Sequence, residues 1–306
     1  MINSLQDLRL IFNDTFLNDR HCIELPILET EETAFAREIQ VHEIETSWNL
    51  AHKLLDQTGR YPIVSTCWQF ENSFTTRVHN EDFFSRFYFQ EMDQEADLSP
   101  RSLIQASESV NVECFLDLLK NKQVEYDRWE DIIQTEIQQT AFEYGSVPSL
   151  AEITDLLLES GSVSNRLELN RWLWSWESAH YAPRPLEGER FEWFEPDNAV
   201  LLLLPTASSW ETLAYLHWYG AYEGAKYYIA LGKSWEQRFG ATLVAHYGTI
   251  LQCIVSRPPQ TPEIALALAV EQDLVAPCTL ALPGLSLRHY AQGLLNNDRW
   301  FLHERP

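Results

Sequence analysis

Four side chains in the last third of the chain have the types and placement for chemistry: Glu236, Arg238, Arg257 and Glu271. A pair of guanidiniums can clamp an anion through parallel N–H donors while a carboxylate beside them takes a proton as general base. The same residues have a plainer use. Arg238 falls in the last turn of an expected helix, where a cation meets the helix dipole, and Glu271 can pair with one of the arginines. The structural use is the expectation. Trp210 and Trp235, in the same stretch, are further candidates for contact with a ligand or partner. No Ser-His-Asp, Cys-His or paired-carboxylate spacing stands out, so no catalytic residue is assigned.

The stretch AVLLLLPTASSWETLAYLHWY (199–219) raises a related question, because strand, polar turn and helix start is an arrangement that holds anions. A phosphate-cradling loop needs glycines for close backbone approach and usually a lysine, and PTASSW has neither. Ser208 and Glu211 instead match a capping box, so the turn is expected to be structural. Metal chemistry is no better supported. Cys22, Cys67, Cys114, Cys253 and Cys278 are odd in number and far apart, with no C-x-x-C pair, and read as reduced, mostly buried thiols. The nine histidines contain no H-x-x-x-H or H-E-x-x-H, so neither a metal nor a cofactor is expected.

The formal net charge is −23, from 22 Lys and Arg against 45 Asp and Glu, and it is unevenly spread. Residues 199–306 hold seven Lys and Arg and eight Asp and Glu, a net of −1, which leaves −22 on residues 1–198. Phosphate-tracking nucleic-acid binding draws its affinity from clustered Lys and Arg, so that class is excluded. An acidic surface suits either plain solubility or a basic protein partner, and the dispersed acids favour solubility. The start of the chain lacks a basic segment followed by an apolar core, and the longest apolar run, 199–204, is far too short to span a bilayer. A cytoplasmic protein is expected.

The elements that must position these residues follow from periodicity. AREIQVHEIET (36–46) alternates as a strand, SWNLAHKLLDQTG (47–59) is a helix stopped by Gly59, and RYPIVSTCW (60–68) is a second strand, with FFSRFYFQEM (83–92) as a further one. From Pro100 onward helix follows helix, including one with Ser149 and Glu152 as capping box and one carrying Trp172, Trp174 and Trp176. Those three indoles cannot share a helix face, so some are expected in the core and another against a neighbouring domain. Beyond 199–204 come a helix ended by Gly240, a hairpin turning at Gly248 and Thr249, a helix with Thr261 as N-cap and Pro262 in its first turn, a last helix near LSLRHYAQGLL (285–295), and a last strand, RWFLHE. The fold class is therefore α+β. The expected domains are a small α+β region (1–98), a helical region (99–181), a linker rich in Pro and charge (182–198), and a C-terminal α/β sandwich domain with a mixed sheet (199–306).

WEQRFGATLV (235–244), VSRPPQTPEIALALAVEQ (255–272) and HYAQGLL (289–295), in that order behind LLLLPT, resemble the bacterial domain-of-unknown-function family 4253. TGRYPIV (58–64) is similar to an upstream segment of longer members. The resemblance covers the last third of the chain and implies no activity. Where the family pattern has a Cys-Asp pair after the Glu-Gln, this chain has DLVAPCTL. The expected function is that of a non-enzymatic protein-binding or adaptor protein. The alternative is a hydrolase-like or nucleotide-handling enzyme with a site between domains around Arg238, Arg257 and Glu271.

Overall fold

The computed structural model describes residues 2–27, 30–66, 73–76, 83–84, 99–126, 129–155, 163–182, 194–282 and 284–305. The helices used below are α1 (Leu5–Phe12), α2 (Ile44–Lys53), α3 (Leu55–Thr58), α4 (Pro100–Ser107), α5 (Val112–Tyr126), α6 (Trp129–Tyr144), α7 (Leu150–Thr154), α8 (Arg166–His180), α9 (Ala225–Phe239), α10 (Pro262–Val275), α11 (Cys278–Ala281) and α12 (Leu287–Leu294). The strands are β1 (Cys22–Pro26), β2 (Thr33–Ile39), β3 (Tyr61–Ser65), β4 (Ala199–Leu204), β5 (Ala241–His246), β6 (Ile250–Val255) and β7 (Arg299–His303). The chain divides into two compact units, one from Met1–Val112, Trp193–Val255 and Arg305–Pro306, the other from Glu113–Glu192 and Ser256–Glu304. Residues 199–306 thus contribute to both units, which differs from the self-contained C-terminal domain expected above.

The reason lies in β4. All six of its residues are buried, and a strand apolar at every position needs cover on both faces and a neighbour on each edge. In the first unit it receives β2 on one edge, with Ala36 opposite Leu202, and β3 on the other, with Ile63 opposite Leu202. The strands of this unit run in the order β1-β2-β4-β3-β5-β6. The sheet is mixed: β3 and β5 are parallel, with Val64 opposite Ala245, and the other pairs are antiparallel. The fold is α+β. Helix α2 lies against β3 and β4, and Trp48 donates its Nε1–H to the Pro62 carbonyl at 2.9 Å.

Several local expectations need adjusting. The alternation of AREIQVHEIET does not continue as strand: β2 ends at Ile39, Val41–Glu43 form a 3-10 turn, and α2 starts at Ile44, ahead of the expected Ser47. Gln40 and Glu43 cap each other there, which turns the chain where the pattern alone would extend it. The helix expected from Ser208 is a 3-10 helix, Trp210–Ala214. Ser208 and Glu211 do not form its cap. Glu211 accepts from Thr206 Oγ1 at 2.6 Å and Lys233 Nζ at 2.8 Å, while Ser209 Oγ accepts the Leu243 N–H at 2.6 Å. The turn's hydroxyls thereby tie it to β5 and to its own carboxylate. Gly59 and Gly240 do end α3 and α9 in the left-handed conformation, at φ 64° and 63°.

In the second unit α8 lies against α6, α10 and α12, and α10 against α12. Leu169 and Leu173 of α8 form a small core with Val163, joined by Ile133 and Trp172. Thr261 accepts from the Ile264 N–H with Pro262 in the first turn, and Ser149 and Glu152 cap α7 reciprocally. The expected strand 83–92 and linker 182–198 fall largely outside the described residues, as does Cys67. Among the described residues no helix is long and apolar enough to cross a membrane.

Candidate functional site

A cavity of about 200 Å³ in the second unit is walled by Tyr144 at the end of α6, Trp174 and Glu177 on α8, Tyr181 just beyond it, Pro262 at the start of α10 and Leu295 just past α12. Tyr144 and Tyr181 stack with ring centroids 4.9 Å apart and planes at 22°. The wall is therefore mainly aromatic and aliphatic, with one carboxylate in it.

That carboxylate belongs to a buried polar network. On α8 Arg166, Asn170 and Glu177 recur at helical spacing, and on α6 Glu136, Thr140 and Glu143 do the same, so each helix turns a polar seam inward. Arg288, on α12, is fully buried and joins the two seams. Its Nε donates to Glu177 Oε1 at 2.9 Å, its Nη1 to Glu136 Oε2 at 2.9 Å and to Asn170 Oδ1, and its Nη2 to Thr140 Oγ1 at 2.9 Å. Thr140 Oγ1 also donates to Glu177 Oε1 at 2.9 Å. Arg166 bonds Glu136 Oε1 at 2.8 Å and pairs with Asp273 of α10. Glu143 accepts from the Ser286 N–H and hydroxyl, and His289 Nδ1 stands 3.6 Å from its Oε1. Glu177 Oε2 is buried, with no accessible surface, and has no hydrogen-bond partner among the described residues.

The carboxylates of this network differ. Burial pushes Glu136 up, but Arg166 and Arg288 outweigh it and hold the group below its ordinary value. Burial likewise acts on Glu143, where the neighbouring His289 and the Ser286 hydrogen bonds win and lower it. At Glu177 burial prevails over Arg288 and Thr140, and at Asp273 over Arg166, so both are pushed up. Tyr144 in the cavity wall is raised by burial and then by the Glu177 charge. Among the described residues no group of three or more His, Cys, Asp or Glu is arranged to hold a metal ion.

The residues singled out from the sequence lie elsewhere. Glu236 and Arg238 are on α9 in the first unit; Arg257 and Glu271 are in the second. Arg238 is exposed with its guanidinium 4.8 Å from the centre of the Phe239 ring, and burial raises Glu236, with Lys233 offsetting part of it. Arg257 is exposed and Glu271 half-buried. Arg257→Ala is therefore expected to change stability by no more than about 1 kcal/mol, within the range of exposed ion pairs; a thermal melt beside the wild type checks this. Trp210 and Trp235 are brought together, edge to face at 5.8 Å, but both are buried in the core and neither offers an open face for binding. Of the three tryptophans on α8, Trp172 packs into the local core, Trp174 lines the cavity and Trp176 stacks on His180 at 4.4 Å. Sequence reasoning missed Arg288, Glu136 and Glu177, although a charged residue on the inward spacing of each helix was a signal to be found.

Residues 200–303 match the model of a family described as a domain of unknown function, DUF4253. No curated protein and no solved structure matches the chain. Arg288, Pro262 and Leu295 fall inside the matched segment, whereas Glu136, Tyr144, Trp174 and Glu177 come from outside it.

Proposed function

We propose that this chain is a non-enzymatic binding protein that recognises a protein partner by taking one of its side chains into the aromatic-walled cavity. The observation that carries this reading is the cavity itself, of side-chain size and lined by three aromatic residues, Tyr144, Trp174 and Tyr181. Concave apolar walls with a few fixed polar groups are the usual form of a recognition site. Glu177 favours binding over proton transfer, because its Oε1 is held by both Arg288 and Thr140 and serves to position the group. The net of −22 on residues 1–198 would steer a basic partner toward the chain.

Saturation-transfer NMR with a panel of capped Ala-X-Ala tripeptides, X drawn from aliphatic, aromatic, acidic and basic types, tests the proposal. One class is expected to bind saturably and to lose binding in Ala182→Trp, which puts an indole at the exposed rim of the cavity. If no tripeptide binds, or if binding survives Ala182→Trp unchanged, the reading falls.

A further inference from the structure

We infer that the side chain taken up is apolar and uncharged, of the leucine or methionine type, and that a basic segment of the partner presents it. This rests on the binding reading above and narrows it.

The lining selects the side chain. Ala182, Pro262 and Leu295 add aliphatic side chains to the three aromatic ones. The polar tips around the cavity are already engaged. Glu177 Oε1 accepts from Arg288 and Thr140 at 2.9 Å each, and its Oε2 has no accessible surface, so neither oxygen is left open to an occupant. The Tyr181 hydroxyl is hydrogen-bonded with Ser146, and the Tyr144 hydroxyl has Gln292 beside it. Ser178 is exposed and stays hydrated. A charged or amide side chain entering this space would give up its water with no group in the wall to replace it, which costs free energy. An apolar one gains in proportion to the surface it removes from water.

The charge of the second unit selects the segment. Its residues, 113–192 and 256–304, hold 21 Asp and Glu against 10 Lys and Arg, a net of −11. Such a field raises the encounter rate of a positively charged segment and opposes an acidic one. The two requirements act at different places. Cations flanking the anchor remain in water outside the cavity, where they need no desolvation, and the apolar side chain alone goes in.

The test titrates capped Lys-X-Lys peptides into the full chain by NMR at pH 7.5 and low salt. Norleucine against lysine at X, and leucine against asparagine, hold the size and change the polarity. The apolar member of each pair is expected to bind at least about tenfold more tightly, the order expected from burying about two methylenes, and to lose that binding in Ala182→Trp. Glu-Leu-Glu is expected to bind more weakly than Lys-Leu-Lys, by a margin that shrinks at about 0.5 M salt. A polar X that binds as tightly as its apolar isostere overturns the inference while leaving the cavity a binding site, and so does Glu-Leu-Glu matching Lys-Leu-Lys. If hexanol binds as tightly as Lys-Leu-Lys, the occupant is a free apolar molecule and the partner segment falls. Failure of every tripeptide removes the binding reading itself.

Discussion

Arg288→Met is expected to destabilise the second unit by about 3–5 kcal/mol, the cost of leaving buried carboxylates without their partner. The side chain is fully buried and donates to Glu177, Glu136, Asn170 and Thr140, so methionine fills the volume but leaves all four acceptors short. Urea denaturation at pH 7, followed by near-UV circular dichroism, measures the loss. The pH dependence has a defined sign. Glu136 has its pKa lowered in the folded protein, so its contribution is present above the unfolded pKa and is lost as pH falls through the folded one. Without Arg288 that group takes up a proton more readily, and the gap between wild type and variant should narrow as pH is lowered from neutral toward 4. Adding Glu136→Gln and Glu177→Gln to Arg288→Met should recover part of the stability, because the uncompensated charge goes with them. An unchanged urea midpoint at pH 7, or a gap that widens in acid, would sink this account.

The second large effect is expected at Gly232, inside α9, where the usual sign is reversed. Alanine in a helix interior is ordinarily better than glycine by about 1 kcal/mol. Here a Cβ would lie 2.0 Å from Trp210 Cδ2 and 2.1 Å from Cε3. Trp210 has no room to give way: it is 1% exposed, its Nε1 donates to the Ala241 carbonyl at 2.9 Å, and its ring meets Trp235 edge to face. Gly232→Ala should therefore cost about 1–3 kcal/mol through overpacking. A lowered melting temperature that the further change Trp210→Phe partly restores would bear this out; a raised one would show that the indole can move.

Much of the local structure was legible because it depends on neighbours a few residues away. Gly59 and Gly240 stop helices by adopting a backbone conformation that other residues resist, and Thr261 and Ser149 start them by accepting backbone N–H groups three positions on. The Ser208–Glu211 pair shows the limit of that reasoning. The same spacing is present, yet Glu211 has a better partner in Lys233, which is 22 positions away, and the cap does not form.

The candidate site was partly legible and partly hidden. Trp174 belongs to a helix that its tryptophans brought to notice, but Glu136 is 3% exposed while Phe142 on the same helix is 79% exposed, the reverse of what hydropathy implies. A carboxylate at such a position is tolerated only because a guanidinium reaches it, and Arg288 lies 152 positions from Glu136 and 111 from Glu177. The helix and strand periods, the chain-reversing glycines, the fully buried character of β4 and the charge imbalance between residues 1–198 and 199–306 are all written in the order of the residues. Folding was needed to set β4 between β2 and β3, and to bring acids from α6 and α8 around an arginine from α12 beside an aromatic-lined cavity. Periodicity and capping report energies set within one turn or one strand, whereas strand neighbours and buried ion pairs are chosen by contacts between segments that the chain brings together only when it folds.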